Sequence, residues 1–213
     1  MRTLRWLAAV APLALIAPSA IAQSQDNIVK FAFTYYQPHS RTDGGIHGIG
    51  VPPGADAEVV NASTVLVTYE RLLTPNIGVE FVLGWPPKIK AKATGSVAFL
   101  GDVLTARNIS PVLLLNYHFM PTEPFRPYVG IGVNYTRFVD IESTLASDVK
   151  MSDSTGLAIQ AGVEYRLNKD WELFASIAKI DVKSKVVAVG ANVLTATVDF
   201  RPITYTAGVT RRF

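Results

Sequence analysis

The chain has 213 residues, no cysteine and only 17% charged residues, against about 25% in a typical soluble domain. That length suits one domain or one barrel with loops, and the lack of thiols excludes disulfides, thiolate metal sites and cysteine nucleophiles. The formal charge of +3 comes from 20 basic and 17 acidic residues; without Arg2 and Arg5 it falls to +1, and no basic cluster points to nucleic acid.

Those two arginines open a secretory signal. Arg2 and Arg5 form a positive n-region, residues 6–17 an apolar h-region containing Pro12, and Ala20-Ile21-Ala22 a small-x-small cleavage site. The expected signal peptide is residues 1–22, cut to leave Gln23 at the start of an exported domain over 23–213. Beyond it no run of about 18 apolar residues exists, so a helical membrane span is not available.

The rest of the chain alternates. Over 27–38, Val29, Phe31, Phe33 and Tyr35 oppose Lys30, Ala32, Thr34 and Tyr36. Such period-two patterning predicts a β-strand, because successive side chains point to opposite faces. A Gly/Pro-rich stretch over 37–61 reads as a long loop, and His39 and His47 as solvated loop residues. A second strand covers 63–73, Thr74-Pro75-Asn76 is a tight turn, and a third strand starts at Ile77 and runs to Trp85. A loop with Pro86-Pro87 and Gly95 leads to a fourth strand ending in Leu113-Leu-Leu-Asn-Tyr-His-Phe119. After a proline-bounded turn over 121–127 comes Arg126-Pro-Tyr-Val-Gly-Ile-Gly-Val-Asn-Tyr-Thr-Arg-Phe138. Here Val129, Ile131, Val133 and Tyr135 form one face, and Gly130, Gly132, Asn134 and Thr136 the other. Residues 142–153 read as a loop with room for a helical turn. A sixth strand spans 157–167, a seventh 171–187 with weaker alternation, and a last strand follows a loop over 190–197 and ends on Phe213.

Eight strands result, and their connections alternate between short (near 75, 124 and 169) and long (near 48, 95, 148 and 192). An even strand number, short turns at one end and long loops at the other predict an all-β, eight-stranded antiparallel transmembrane β-barrel, with short periplasmic turns and long extracellular loops. Aromatic residues cluster where lipid-facing rows would cross the membrane interfaces: Tyr35, Tyr69, Trp85, Tyr117, Phe119, Tyr135, Tyr165, Trp171 and Phe213. The expected location is the outer membrane of a Gram-negative bacterium. The expected partners are outer-membrane lipid and lipopolysaccharide, and barrel-assembly machinery that reads Phe213, with the barrel a monomer.

If the apolar rows face lipid, the opposite rows face a lumen too narrow for a water-filled pore. Parity puts Lys30, Glu70, Glu80, His118, Glu164, Arg166, Glu172 and Arg212 inside, near the short-turn end, as one periplasmic-side ion layer. Buried charges must be paired to be tolerated. Toward the long loops the inward residues become apolar or small: Leu66, Val82, Gly84, Ala178 and Ile180. These are the candidate ligand-contacting residues of the lumen. No catalytic residues, metal ligands or cofactor are expected: His118 has no neighbouring serine, and Glu70, Glu80 and Glu164 read as members of an ion network rather than an acid–base set.

Five pieces together resemble the outer membrane protein W family, which includes alkane-uptake porins. They are the strand 126–138, Asn76-Ile-Gly-Val-Glu80, Lys92-Ala-Thr-Gly95, Pro111-Val-Leu-Leu-Leu-Asn-Tyr-His-Phe119 and Asn168-Lys-Asp-Trp171. The resemblance implies a narrow apolar interior, passive uptake of small hydrophobic molecules, and lateral release into the bilayer. Two departures stand out: Arg211 sits where the family's aromatic-x-Phe ending has its aromatic, and Val82 and Ala178 leave the interior light, implying a wider or differently shaped pocket. The alternative is a structural or adhesive barrel with no transport role; its lumen would be polar throughout, whereas this one grades from charged to apolar.

Overall fold

A computed structural model describes residues 26–190 and 192–213. The expected signal peptide and its cleavage after Ala22 lie outside them. The alternating stretches form strands because one row of each suits lipid and the other a packed interior. Eight of them close into a barrel: β1 (Asn27–Gln37), β4 (Ala62–Leu72), β5 (Ile77–Gly84), β8 (Val112–His118), β9 (Phe125–Ser143), β11 (Ser154–Arg166), β12 (Trp171–Ile180) and β15 (Ile203–Arg212). Every neighbouring pair is antiparallel, and β9–β11 pairing completes the ring. The two ends of the described chain meet where Asn27 and Phe213 exchange backbone hydrogen bonds of 3.2 and 3.0 Å.

The faces separate by parity. Phe31, Phe33, Val65, Val67, Ile131, Val133, Leu157 and Ile159 are each more than half exposed, and the expected interface aromatics are outward too. On a soluble protein these rows would be a large apolar patch; on a barrel they are the lipid-facing band.

Several expected loops are strands. The stretch 37–61 contains β2 (Arg41–Gly48) and β3 (Ala55–Val59), so His47 lies in a strand opposite Thr195 rather than in a loop. The region after β5 forms a hairpin of β6 (Lys88–Gly95) and β7 (Asp102–Ile109). The expected helical turn within 142–153 is instead β10 (Asp148–Met151), and β14 (Val193–Asp199) occupies the expected loop over 190–197. The expected seventh strand is broken: β12 ends at Ile180 and β13 (Lys183–Val189) begins a second sheet of order β10-β13-β14-β2. Pairing explains these differences, since each segment finds a distant partner that satisfies its backbone groups and no local signal announces it. The long-loop end of the barrel therefore carries two sheets, β9-β7-β6-β3 and β10-β13-β14-β2.

The break at Asp181–Val182 turns Val182 inward, and the return at Phe200 turns that ring inward as well, both almost fully buried. Phe200 donates its backbone N–H to Val182 at 2.9 Å. The next residue, Arg201, adopts a left-handed φ of 41° that lets the chain re-enter the barrel as β15.

Small residues set the interior section near the other end. A Cβ placed on Gly162 would come within 2.5 Å of the Tyr128 ring, so that ring lies across the strand where no side chain stands. We predict that Gly162→Val displaces Tyr128 and lowers the fraction refolding into lipid vesicles, read from the heat-modifiable shift of the barrel on electrophoresis. Wild-type yield would show that the ring is not fixed there.

Candidate functional site

The lumen has two chemical halves. At the short-turn end β1 supplies Lys30, β4 Glu70, β5 Glu80, β8 His118, β9 Arg126, β11 Glu164, β12 Glu172 and β15 Arg212. Lys30 Nζ lies 2.9 Å from Glu70, 3.3 Å from Glu80 and 3.2 Å from Glu164. Arg126 reaches Glu164 at 3.2 Å and also pairs with Glu172. Arg212 bridges the same two carboxylates at 3.5 and 2.9 Å. His118 sets Nε2 2.7 Å from Glu70 and Nδ1 3.6 Å from Glu164, an arrangement in which the imidazolium has a proton for each. Its ring stacks on Tyr128 at 5.4 Å between centroids, and Lys30 Nζ lies 4.8 Å from the same tyrosine's centroid. Four carboxylates thus face Lys30, Arg126, Arg212 and His118, one cation for each when His118 is protonated.

A neutral tier lies on top. Asn116 donates to Glu70 at 2.9 Å and to Glu80 at 2.7 Å, and Gln160 donates to Glu80 at 2.6 Å and to Asn116 Oδ1 at 2.8 Å. The amides extend the carboxylates' hydrogen bonding, as burial demands.

Lys30, Glu70, Glu80, His118, Glu164, Glu172 and Arg212 therefore meet in one connected cluster. Arg166 does not join it. Its guanidinium instead donates to the carbonyls of Pro121 and Thr122, both at 3.4 Å, tying β11 to the neighbouring turn. Sequence reasoning missed Arg126, Asn116 and Gln160. Each could have been found by parity: Arg126 shares a face with Tyr128, Asn116 with His118, and Gln160 with Glu164.

Above the amides the lumen opens into a cavity of about 110 Å³. Leu66, Val82, Gly84, Ala178 and Ile180 all line it, together with Val112, Leu114 and Ala158. Its roof is an apolar cluster containing Tyr36, Val59, Ile89, Ala106, Phe138, Val182 and Phe200. Phe138 and Phe200 stack there at 5.3 Å with 24° between rings. Beyond the roof, between the two extension sheets, lies a second cavity of about 140 Å³ whose wall includes Ile46, Leu104, Val186 and Leu194.

The first cavity also reaches the wall. Pairing of β5 with β8 stops at Val82↔Val112, while β5 continues to Gly84 against β4 alone. Pro86, Pro87 and Pro111 flank this point, and without N–H groups they cannot extend the ladder. Trp85, Pro87 and Ser110, at the margins of the gap, line the cavity. Arg107 donates to the Pro86 carbonyl at 3.2 Å, spanning the gap's upper side.

Residues 23–213 match the OmpW family. The chain belongs to that family. The outer membrane protein W of Vibrio cholerae is 32% identical over 213 residues, 94% of this chain and 94% of the relative. In the Salmonella typhi relative of the same name the alignment spans 60% of its length. A protein of Pseudomonas aeruginosa named dibenzothiophene metabolism operon protein PahQ is 26% identical, with 98% of this chain and 99% of that one aligned. Among solved structures, the outer membrane protein OprG of Pseudomonas aeruginosa superposes with a TM-score of 0.78 at 28% identity, covering 88% of this chain and 95% of that one. The OmpW-family chain described here is an outer-membrane barrel, and its apolar band contacts lipid.

The ion layer makes a stability prediction. Glu164 holds Lys30, His118, Arg126 and Arg212 together, so Glu164→Ala should cost about 3–5 kcal/mol, the usual penalty for stranding a buried charge. Lys88→Ala, which removes an exposed pair with Glu142, should cost about 0–1 kcal/mol. Reversible urea unfolding in vesicles measures both. An unchanged midpoint for Glu164→Ala would contradict the hub role.

Proposed function

We propose that this OmpW-family barrel takes up small apolar molecules passively and releases them sideways into the bilayer. The observation that carries the reading is the shape of the lumen: an apolar cavity with a charged floor below and a break in the wall beside it. Along the axis, the eight charged side chains and the amide tier occupy the short-turn half, and a greasy solute crossing them would have to displace paired ions. Sideways, it meets Trp85, Pro87 and then lipid. For an apolar molecule the second route costs less.

The entry side fits the same reading. The outer cavity between the extension sheets is walled almost wholly by apolar side chains, and the Phe138–Phe200 pair separates it from the lumen. A solute would pass from the outer cavity to the lumen when that pair parts. The name of PahQ associates that relative with dibenzothiophene metabolism, and dibenzothiophene is a flat apolar solute; the likeness extends the reading to this chain. An adhesive barrel gains nothing from an apolar lumen, so that alternative has no observation in its favour.

Ala178 lines the lumen cavity, and one bulky side chain can fill an eight-stranded interior. Ala178→Trp should therefore lower uptake of an apolar probe about tenfold, equivalent to about 1.4 kcal/mol in the limiting step, at matched protein level in cells. If uptake is unchanged while the barrel is assembled, the route does not run through this cavity.

A further inference from the structure

The lumen cavity is not uniformly greasy. Its floor carries Thr68, Glu80, Gln160, Ser176 and Thr206, its middle is Leu66, Val82, Val112, Leu114, Ala178 and Ile180, and Thr64, Asn108, Ser110 and Thr204 line it toward the long loops; the charge is on the floor. Of the charged side chains in the ion layer, Glu80 alone borders the cavity among the described residues. Its Oε2 already accepts from Asn116 and Gln160, whereas Oε1 faces Lys30 alone, at 3.3 Å, among the described residues. A carboxylate has about four acceptor sites, so Oε1 retains room for a further donor.

This asymmetry selects among ligands. The floor groups are largely paired among themselves, Thr206 with Thr34 at 2.7 Å and Gln160 with Glu80 at 2.6 Å, so a plain alkane would only set the acceptor positions that Glu80 still has open against hydrocarbon, which is unfavourable. An alkanoate would set its negative head against Glu80. A neutral head that can donate a hydrogen bond meets neither penalty. Size adds a constraint: about 110 Å³ is less than the roughly 150 Å³ apolar cavity that accepts a benzene. Only a head and a few carbons fit above the floor, and the remaining tail must leave through the gap at Trp85 and Pro87.

Resting on the uptake reading above, we propose that the lumen is built for a short amphiphile with a neutral, hydrogen-bond-donating head, a primary alcohol being the simplest. The head lies on Glu80, Gln160 and Ser176, and the tail points through the β5–β8 gap toward lipid. Release then runs tail first: the hydrocarbon enters the bilayer while the head is still held, and the head follows.

The orientation gives the test. A bromine at the tail end would sit beside Trp85 and quench its fluorescence on contact. Trp171→Phe leaves Trp85 as the fluorophore of the chain from Gln23 onward. The protein, inserted in phosphatidylcholine vesicles at neutral pH, is titrated with 6-bromohexan-1-ol, 1-bromohexane and 6-bromohexanoate, each corrected for its own membrane partitioning. The alcohol should quench at a concentration about fivefold lower than the alkyl bromide, the worth of about one net hydrogen bond, and lower than the carboxylate. Gln160→Leu and, separately, the milder Ser176→Ala should bring the alcohol-to-alkyl ratio toward one. Equal quenching by alcohol and alkyl bromide in the parent protein overturns the proposal, as does strongest quenching by the carboxylate or a ratio that both variants leave intact. Quenching by the alkyl bromide without preference for the alcohol leaves the uptake reading standing. Quenching by none of the three overturns both.

Discussion

A closed eight-stranded barrel has an interior that side chains must fill, and four of the side chains this sequence sends inward are glutamates. Carboxylates out of water are tolerated only when cations and hydrogen-bond donors meet them. Lys30, Arg126 and Arg212 supply cations from three strands, His118 a fourth when protonated, and Asn116 and Gln160 supply neutral donors on the upper side. Each of the eight strands places one charged group in the layer, so the registers of all eight must be correct for any charge to be compensated. A slip of one residue would turn the charged row toward lipid and the Phe/Val row inward. The layer is thus a device for uniqueness of register as much as a source of stability.

The same constraint shapes the upper half. With the short-turn end occupied by ions, the room left in the lumen lies between the amide tier and the Phe138–Phe200 roof. The middle of that room is lined by apolar residues of modest size, and the wall beside them is the place where prolines 86, 87 and 111 deny the sheet its next hydrogen bonds. Three separate features, a charged floor, an aromatic roof and an interrupted ladder, bound one cavity.

Much of this could be read from the chain, and the parts that could not have a common cause. Period-two alternation located the barrel strands, and parity alone sent Lys30, Glu80 and Glu172 inward and Phe31 and Ile131 outward. Arg126 escaped because Pro127 interrupts the alternation, which is regular only from Val129 onward. Arg166 obeys the parity of its strand, but it lies one step past Glu164 along the face, where its guanidinium meets turn carbonyls rather than carboxylates. The extension strands were unreadable locally. Arg41–Gly48 is rich in glycine and polar residues, and it becomes a strand by pairing with Leu194–Asp199, some 150 positions away. The break between β12 and β13 likewise follows from where Val182 and Phe200 must point, which is a property of the assembled roof.

The central claim is that a solute in this lumen sits above the ion layer and leaves through the wall. The most direct measurement is intermolecular nuclear Overhauser contact between a protonated apolar ligand and the protein in perdeuterated lipid. The account predicts contacts to Leu66, Val82 and Ala178, continuing to Trp85 and Pro87, with none to residues beneath the layer. Contacts to Ile28 or Leu72, which are buried inside the barrel on the short-turn side of Lys30 and Glu70, would mean that solutes pass along the axis and would contradict it.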